Sequence, residues 1–510
     1  LTAPASATDA QTVVQKISAE IDALRDDLLC DTARLLQFRT VSGGSPEQEE
    51  EYQREIPACL AWLKELSASM GFEFREIQGV AAEIVWNHPD ENAPRFAIAS
   101  HIDVVTPVGE WTHPPFSGAI ADGYMWGRGT QDDKGPLMQS LYGMYAVKRA
   151  GIQPPCSVAI VIGTMEETGQ WRDMQVYLQN AKKPDFAFTP DANFPIINGE
   201  KGMLSVYVDA EWPDGGIDGE TGMEFIRLTG GERENIVPAS AELVIRFPSE
   251  NRTEVLKELV RTTTEYVVEH DNANITLQPN RQRDLGDGRY EAVASFVGKA
   301  AHSSTPAKGH NAIVDAIDFV KGIETFPEPM RRFASFLHIA GADMTGESIG
   351  VAANHDFIGP TTVCLSLLDL GKTRGRAVLN IRPTMGWTAD KVLEQLRKTL
   401  DAYQEPVGRR MELSVKGEKK NPIYLDPQDP RVAGGIKALQ EAYSLVTGRE
   451  PELKSIGGTT YAKALPNCCA FGPVMSPEEA ELAHQCDERV PVEAIIRNAK
   501  IYGASVALFR

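Results

Sequence analysis

Apolar residues near the start of the chain recur at intervals of three and four. Val13, Ile17, Ile21, Leu24 and Leu28 fall on one helical face and predict helical structure over 9–40. The stretch PEQEEEYQREIPACLAWLKELSASMG repeats that period and predicts a second amphipathic helix stopping near Gly71. The pattern then changes. AAEIVWN and RFAIASHIDVV read as strands, GPLMQSLYGMYAVKRAG as a helix closed by Gly151, CSVAIVIGT as a buried strand, WRDMQVYLQNA as a helix and DFAFTPD as a strand. Strands alternating with helices predict an α/β fold, a sheet flanked by helices on both faces. In such sheets ligands sit beyond the carboxyl ends of the strands. His101 and Asp103, Glu166 and Glu167, and Asp191 all fall at that end of their strands.

From about residue 203 the period becomes two: MLSVYVDAEW and AELVIRF alternate like half-exposed strands. AELVIRF (241–247) precedes a helix containing VLKEL (255–259), and AVLNIRP (377–383) precedes one containing VLEQL (392–396). The recurrence predicts an α+β insert of two related halves. After about residue 421, PRVAGGIKALQEAYSLVTG, NCCAFGP and EAIIRNAK restore the helix–strand alternation. The expected organisation is a first domain split into 1–202 and 422–510, interrupted by a second at 203–421. A chain of 510 residues is too long for one ordinary core, which agrees.

The formal charge of −20, with no basic stripe, argues against a nucleic-acid partner. No apolar run reaches the length of a membrane span. The seven cysteines are odd in number and lack zinc-knuckle spacing, so they read as reduced thiols of a cytoplasmic protein. The opening LTAPASATDA reads as a trimmed start or the stub of a processed leader, which leaves a secreted form open.

Taken singly, His101, Asp132, Glu167, Asp191 and His484 have ordinary structural readings. Together, two histidines and three carboxylates at strand ends and loop starts are a ligand set for two borderline divalent ions. Paired metals need a bridging carboxylate, and Asp132 in GRGTQDDKG is placed to be one. His101 and Asp103 share a strand face, so the Asp103 carboxylate is expected to hold the imidazole N–H.

The motifs GRGTQDDKGP, MEETGQWRDM, TPDANFPIINGEKG, GGTTYAKALPN and FGP, in this order, resemble the di-metal exopeptidase and aminoacylase family of metallopeptidases, and most of all its bacterial PepV-type dipeptidases. The similarity spans roughly residues 15–510. It implies a catalytic domain with a mixed central sheet, interrupted by a lid domain. His101 and Asp191 would bind one metal, Glu167 and His484 the other, and Asp132 would bridge, with a cis peptide after it. Zinc is the expected ion, with manganese or cobalt as alternatives. Glu166 would be the general acid/base. His302, in GKAAHSSTPAKGHNA, would steady the oxyanion, with Asp103 supporting catalysis through His101. Asn235, Arg382, Gly458 and Thr459 would touch the substrate, with Gly457–Thr459 near its carboxyl end. His310 is expected to be structural and His113 to pack in the approach loop.

The implied activity is hydrolysis of dipeptides or short peptides with a free carboxyl end. The alternative is an N-acyl-amino-acid amidohydrolase using the same site. A non-catalytic relative would have lost ligands, and all are present. Dimeric members of the family have a smaller lid and borrow the oxyanion histidine from a partner. The larger insert here implies a monomer with His302 acting in cis. GGTTYAKAL departs from the family pattern by one extra hydroxyl residue and by Lys463 where an arginine is usual, which leaves the fine substrate preference open.

Overall fold

The computed structural model describes residues 7–213, 222–270, 274–277, 283–321, 323, 326–404, 411–417 and 419–510. The chain divides into two compact units. One is built from 1–199 and 423–510, the other from 200–422.

The first unit is organised on a mixed sheet. Its strands run in the order Glu73–Ile77, Ala81–Trp86, Ser157–Gly163, Arg95–His101, Phe186–Thr189, Cys468–Ala470, Ile196–Glu200 and Ile423–Tyr424, with Leu453–Ile456 also paired to Ile196–Glu200. The three strands 95–101, 157–163 and 186–189 are parallel. Their alternation sorts the core into two faces. Phe96, Ile98, Val158, Ile160, Ile162, Phe186 and Phe188 join one apolar cluster with the large helices. Ala97, Ala99, Ala159, Val161 and Ala187 join another with Trp171, Met174, Tyr177 and Tyr461. The sheet is therefore covered thickly on one face and thinly on the other.

The helix Pro46–Ser69 starts where the chain offers a capping box: the Ser45 hydroxyl accepts from Gln48 N–H, and the Gln48 side chain accepts from Ser45 N–H. The helices Lys134–Arg149 and Val492–Leu508 pack at glycines. A methyl group on Gly143 would lie 2.7 Å from the Gly503 nitrogen. This close approach anchors the helix that begins just after Asp132.

The second unit has its own core around a nine-stranded sheet. Its main path is Ile275–Leu277, Arg289–Val297, Ser240–Pro248, Glu224–Gly230, Thr362–Gly371, Arg374–Arg382, Leu204–Glu211 and Met411–Val415. The strands Glu224–Gly230 and Thr362–Gly371 meet in the middle, and each has a hairpin partner on its outer side. The partners, Ser240–Pro248 and Arg374–Arg382, both lead into long helices, Arg252–Glu269 and Ala389–Gln404. This is the recurrence the sequence pattern marked. The helices Ala312–Lys321 and Glu328–Ala342, which the sequence reading did not place, are both strongly buried on one side.

None of the seven cysteines is disulfide-bonded. Among the described residues no helix is long and apolar enough to cross a membrane.

Candidate metal centre

Parallel pairing sets His101 opposite Gly163 and Ile98 opposite Phe188, so three adjacent strands end together. His101 closes the first, Glu166 and Glu167 follow the second, and Asp191 follows the third. Asp132 comes from the loop before helix Lys134–Arg149, and its peptide bond to Asp133 is cis. His484, with φ +64°, comes from the loop before strand Arg489–Pro491.

Asp132 stands between the two histidines. Its Oδ1 lies 3.0 Å from His101 Nε2 and its Oδ2 lies 3.0 Å from His484 Nε2. Glu167 Oε2 is also 3.0 Å from His484 Nε2, and Asp191 Oδ2 is 3.8 Å from His101 Nε2. Two triads have ligand atoms mutually within 4.8 Å: His101, Glu166 and Asp191, and Asp132, Glu167 and His484.

Three of the site's atoms make no protein hydrogen bond. His101 Nε2, Asp132 Oδ1 and Glu167 Oε1 are buried with no hydrogen-bond partner. Such groups are costly unless something pairs with them. His101 Nδ1 bonds the Asp103 carbonyl at 3.0 Å, which assigns a proton to Nδ1 and turns Nε2 toward Asp132 and Asp191. Burial pushes the Glu166 and Asp191 carboxyls well up, reinforced by their acidic neighbours. Burial also raises Glu167. Against the same burial, His101 and His484 pull Asp132 down. Hydrogen bonds donated to Asp132 and Glu167 raise His484 to about 11. The raised carboxyls of Glu166, Glu167 and Asp191 report buried negative charge crowded together, which favours a cation at this place. One imidazole with Glu166 and Asp191 on one side of the shared aspartate, and one imidazole with Glu167 on the other, suit divalent ions such as zinc, manganese or cobalt.

Asp103 meets His101 twice. Its carboxylate Oδ1 is 3.4 Å from His101 Nδ1, and its main-chain carbonyl lies closer to the same nitrogen, at 3.0 Å. The carboxylate also accepts from Glu166 N–H at 3.1 Å, Glu167 N–H at 3.0 Å and the Ser42 hydroxyl at 2.9 Å. It fixes the turn that carries both glutamates.

Four braces were missed in the sequence. Asp173 accepts from Thr164 N–H at 2.7 Å, Met165 N–H at 2.8 Å and the Tyr461 hydroxyl at 2.5 Å, tying down the start of the glutamate loop. Trp171 Nε1 donates to the Glu166 carbonyl at 3.1 Å. Glu488 pairs with Arg128 and accepts from Gly129 N–H at 3.1 Å and Gln131 N–H at 2.8 Å. The Gln131 amide bonds Leu482 N–H, Ala480 O and Arg489 O, so the Asp132 loop and the His484 loop hold each other. Gly135 completes the turn, since a methyl group there would collide with the Thr130 carbonyl. Asp173, Trp171, Gln131 and Gly135 lie inside the quoted motifs and Glu488 does not, but the pairing joins segments up to 360 residues apart, which no local pattern reveals.

Gly458 and Thr459 follow strand Leu453–Ile456, where Lys463 Nζ donates to the Gly458 carbonyl at 3.0 Å and the Thr459 hydroxyl at 2.8 Å. Lys463 therefore braces this loop. His113 packs on the Trp126 ring, with centroids 4.9 Å apart.

Within the second unit, His302, Asn235 and Arg382 are brought together. Ser303 N–H donates to the Asn235 carbonyl at 2.9 Å, and Ile236 bridges to His302. The Ser303 hydroxyl and Arg382 Nε share Asn380 Oδ1, at 2.8 Å and 2.9 Å. His302 Nδ1 accepts from Ser304 N–H at 3.2 Å and contacts the Ser304 hydroxyl at 2.7 Å. That assigns the ring proton to Nε2. Burial and Arg382 push the His302 pKa down, so the ring is held neutral. His310 is bonded instead to Asp315, at 2.6 Å.

A profile described as Peptidase family M20/M25/M40 matches residues 97–507. The Bacillus subtilis (strain 168) protein named "Putative dipeptidase YtjP" is 28% identical over 492 residues, covering 96% of this chain and 98% of that one. Human carnosine dipeptidase 1 has a similar fold, with TM-score 0.57, 13% identity and 99% of both chains covered. The dipeptidase Dug1p of Saccharomyces cerevisiae also reaches TM-score 0.57 at 13% identity, over 97% of this chain and 98% of its own.

Proposed function

The chain belongs to peptidase family M20/M25/M40, and from that premise we propose that it is a di-metal dipeptidase acting on short peptides with a free carboxyl end. The observation that carries this reading is Asp132 set between His101 and His484, with His101 Nε2, Asp132 Oδ1 and Glu167 Oε1 buried without a hydrogen-bond partner. His101 and Asp191 would hold one ion, Glu167 and His484 the other, and Asp132 would join them, with zinc the proposed metal. Two divalent ions, when bound, acidify water and polarise the scissile carbonyl.

The chain's own residues supply the remainder. Glu166 takes a proton from the attacking water and passes it to the leaving amine. Its buried, raised carboxyl suits both halves of that exchange. Asp103 sets the position of Glu166 by holding its backbone N–H. His302 is a neutral donor through Nε2–H, the form needed to stabilise a developing oxyanion. Arg382 offers a planar fork to the substrate's free carboxylate. Asn235 belongs to the same group of residues, and Gly458 and Thr459 are proposed as further substrate-binding residues.

The test is Glu166→Gln. It is expected to retain its bound metal and fold while kcat falls by several orders of magnitude; near-normal turnover overturns the assignment. Chelation should abolish activity, and added zinc, manganese or cobalt should restore it. A panel of dipeptides and their N-acetylated amino-acid counterparts separates this reading from the amidohydrolase. Faster cleavage of the N-acyl substrates favours the latter.

A further inference from the structure

Tyr461 stands in the GGTTYAKAL stretch, two residues beyond Thr459, and is fully buried. The Thr460 hydroxyl accepts from Ala462 N–H at 3.1 Å and starts one tight turn, Tyr461–Lys463. The turn sends its two long side chains to different places. Lys463 returns to the Gly458 carbonyl and the Thr459 hydroxyl, while Tyr461 enters the thinner face of the first unit's sheet.

A glycine makes that entry possible. Gly163 lies opposite His101 across the parallel strands, and a methyl group on it would lie 2.2 Å from the Tyr461 hydroxyl. The Tyr461 ring makes an edge contact with the His101 ring, centroids 5.9 Å apart, and another with Trp171 at 5.5 Å. Trp171 in turn holds the Glu166 carbonyl.

The hydroxyl does what a phenyl ring alone could not. It donates to Asp173 Oδ2 at 2.5 Å, and the same oxygen accepts from Thr164 N–H at 2.7 Å and Met165 N–H at 2.8 Å. Two lone pairs serve three donors, so a shift of one donor disturbs the other two. Asp173 is fully buried, so a lost donor leaves its carboxylate under-satisfied. Met165 is the residue before Glu166. The loop of Gly458 and Thr459 and the loop of Glu166 thus meet at one oxygen atom, though Tyr461 and Asp173 are 288 residues apart in sequence.

We propose that Tyr461 is a positioning residue that couples these two loops: its hydroxyl, through Asp173, aligns Glu166 with the end of a substrate seated against Gly458 and Thr459. The proposal rests on the dipeptidase reading and adds to it a route by which the seat for the substrate's carboxyl end governs the general base. A misplaced base loses proton transfer, while binding at the seat survives.

The experiment is a double-mutant cycle in the metal-loaded full chain, with Tyr461→Phe, Lys463→Met and both, on the best-cleaved dipeptide of the panel above. Tyr461→Phe keeps the ring and removes the hydroxyl. It should lower kcat by about ten- to a hundredfold and hold KM within about threefold of wild type. Metal content by elemental analysis should not change. Asp173→Asn, which removes the charged acceptor, should show the same split. Lys463→Met loosens the seat and should raise KM and lower kcat, but in the Tyr461→Phe background it should raise KM alone. Additive losses in kcat overturn the coupling, and an unchanged kcat in Tyr461→Phe overturns the role of the hydroxyl. Loss of metal or of the folded state in both Tyr461→Phe and Asp173→Asn makes the contact a structural one and overturns the proposal as well. No hydrolysis of any dipeptide of that panel by the metal-loaded wild type overturns the dipeptidase reading instead.

Discussion

Glu166 and Glu167 are adjacent, both buried, and both raised in pKa, yet they join different groups. Successive side chains diverge at the end of a strand, so Glu167 reaches His484 while Glu166 lies with His101 and Asp191. Their losses should differ. Glu167→Ala is expected to lose about one equivalent of metal, read by elemental analysis after desalting, while Glu166→Ala keeps both. Equal metal content in the two variants would overturn the division of labour. Glu488 makes a different residue-scale prediction. It pairs with Arg128 where both are fully buried, and burial holds its carboxyl up at about 7. Breaking a buried pair strands the remaining charge, at a cost of about 3–5 kcal/mol. Arg128→Met should therefore destabilise strongly in urea melts, and a change under about 1 kcal/mol would show that the pair holds little. Individual ligand candidates were legible in the sequence because histidines and acids at strand ends are unusual there. The braces were not: Asp103 was read only as a partner of the imidazole, and it also holds the main-chain N–H groups of Glu166 and Glu167. Backbone donors cannot be read from side-chain identity.

At the scale of elements, periodicity found the strands that carry the site, since buried parallel strands are near-continuous apolar runs. It did not find Ala312–Lys321 and Glu328–Ala342, whose signals sit between short motifs that had drawn attention to chemistry instead of packing. The contact between Lys134–Arg149 and Val492–Leu508 joins the helix next to Asp132 to the last helix of the chain. Gly143→Val would force them apart and should cost at least about 1–3 kcal/mol. An unchanged melting temperature would show that the helices can separate freely. In the second unit, helix Glu328–Ala342 sets His338 Nδ1 3.4 Å from Asp318. Burial, helped by Lys321 and His270, pushes the His338 pKa below its usual value although Asp318 opposes this. The unfolded chain then takes up a proton near pH 6.5 that the folded chain resists. This contribution to stability is complete above about pH 6.5 and is lost as pH falls through the lowered value. His338→Gln should narrow the difference in urea midpoint between pH 7.5 and 5.5. An unchanged difference would remove His338 as a source.

At the scale of the whole molecule, the second unit bears on assembly. Its central strands Glu224–Gly230 and Thr362–Gly371 pair in one continuous sheet, and each is followed by a hairpin partner and a long helix. One chain thus supplies two matching sets of strands edge to edge, an arrangement that two chains would otherwise have to make by pairing their sheet edges. His302, with its proton assigned to Nε2, and Arg382 both come from this chain's own insert. No second subunit is required to bring them together. The expected state is therefore a monomer of 55.8 kDa by sedimentation equilibrium across the concentrations used for assay. Activity per chain should also be independent of dilution, because a histidine acting in cis does not depend on association. A mass near twice the chain's own, together with specific activity that falls on dilution, would return the oxyanion histidine to a partner subunit.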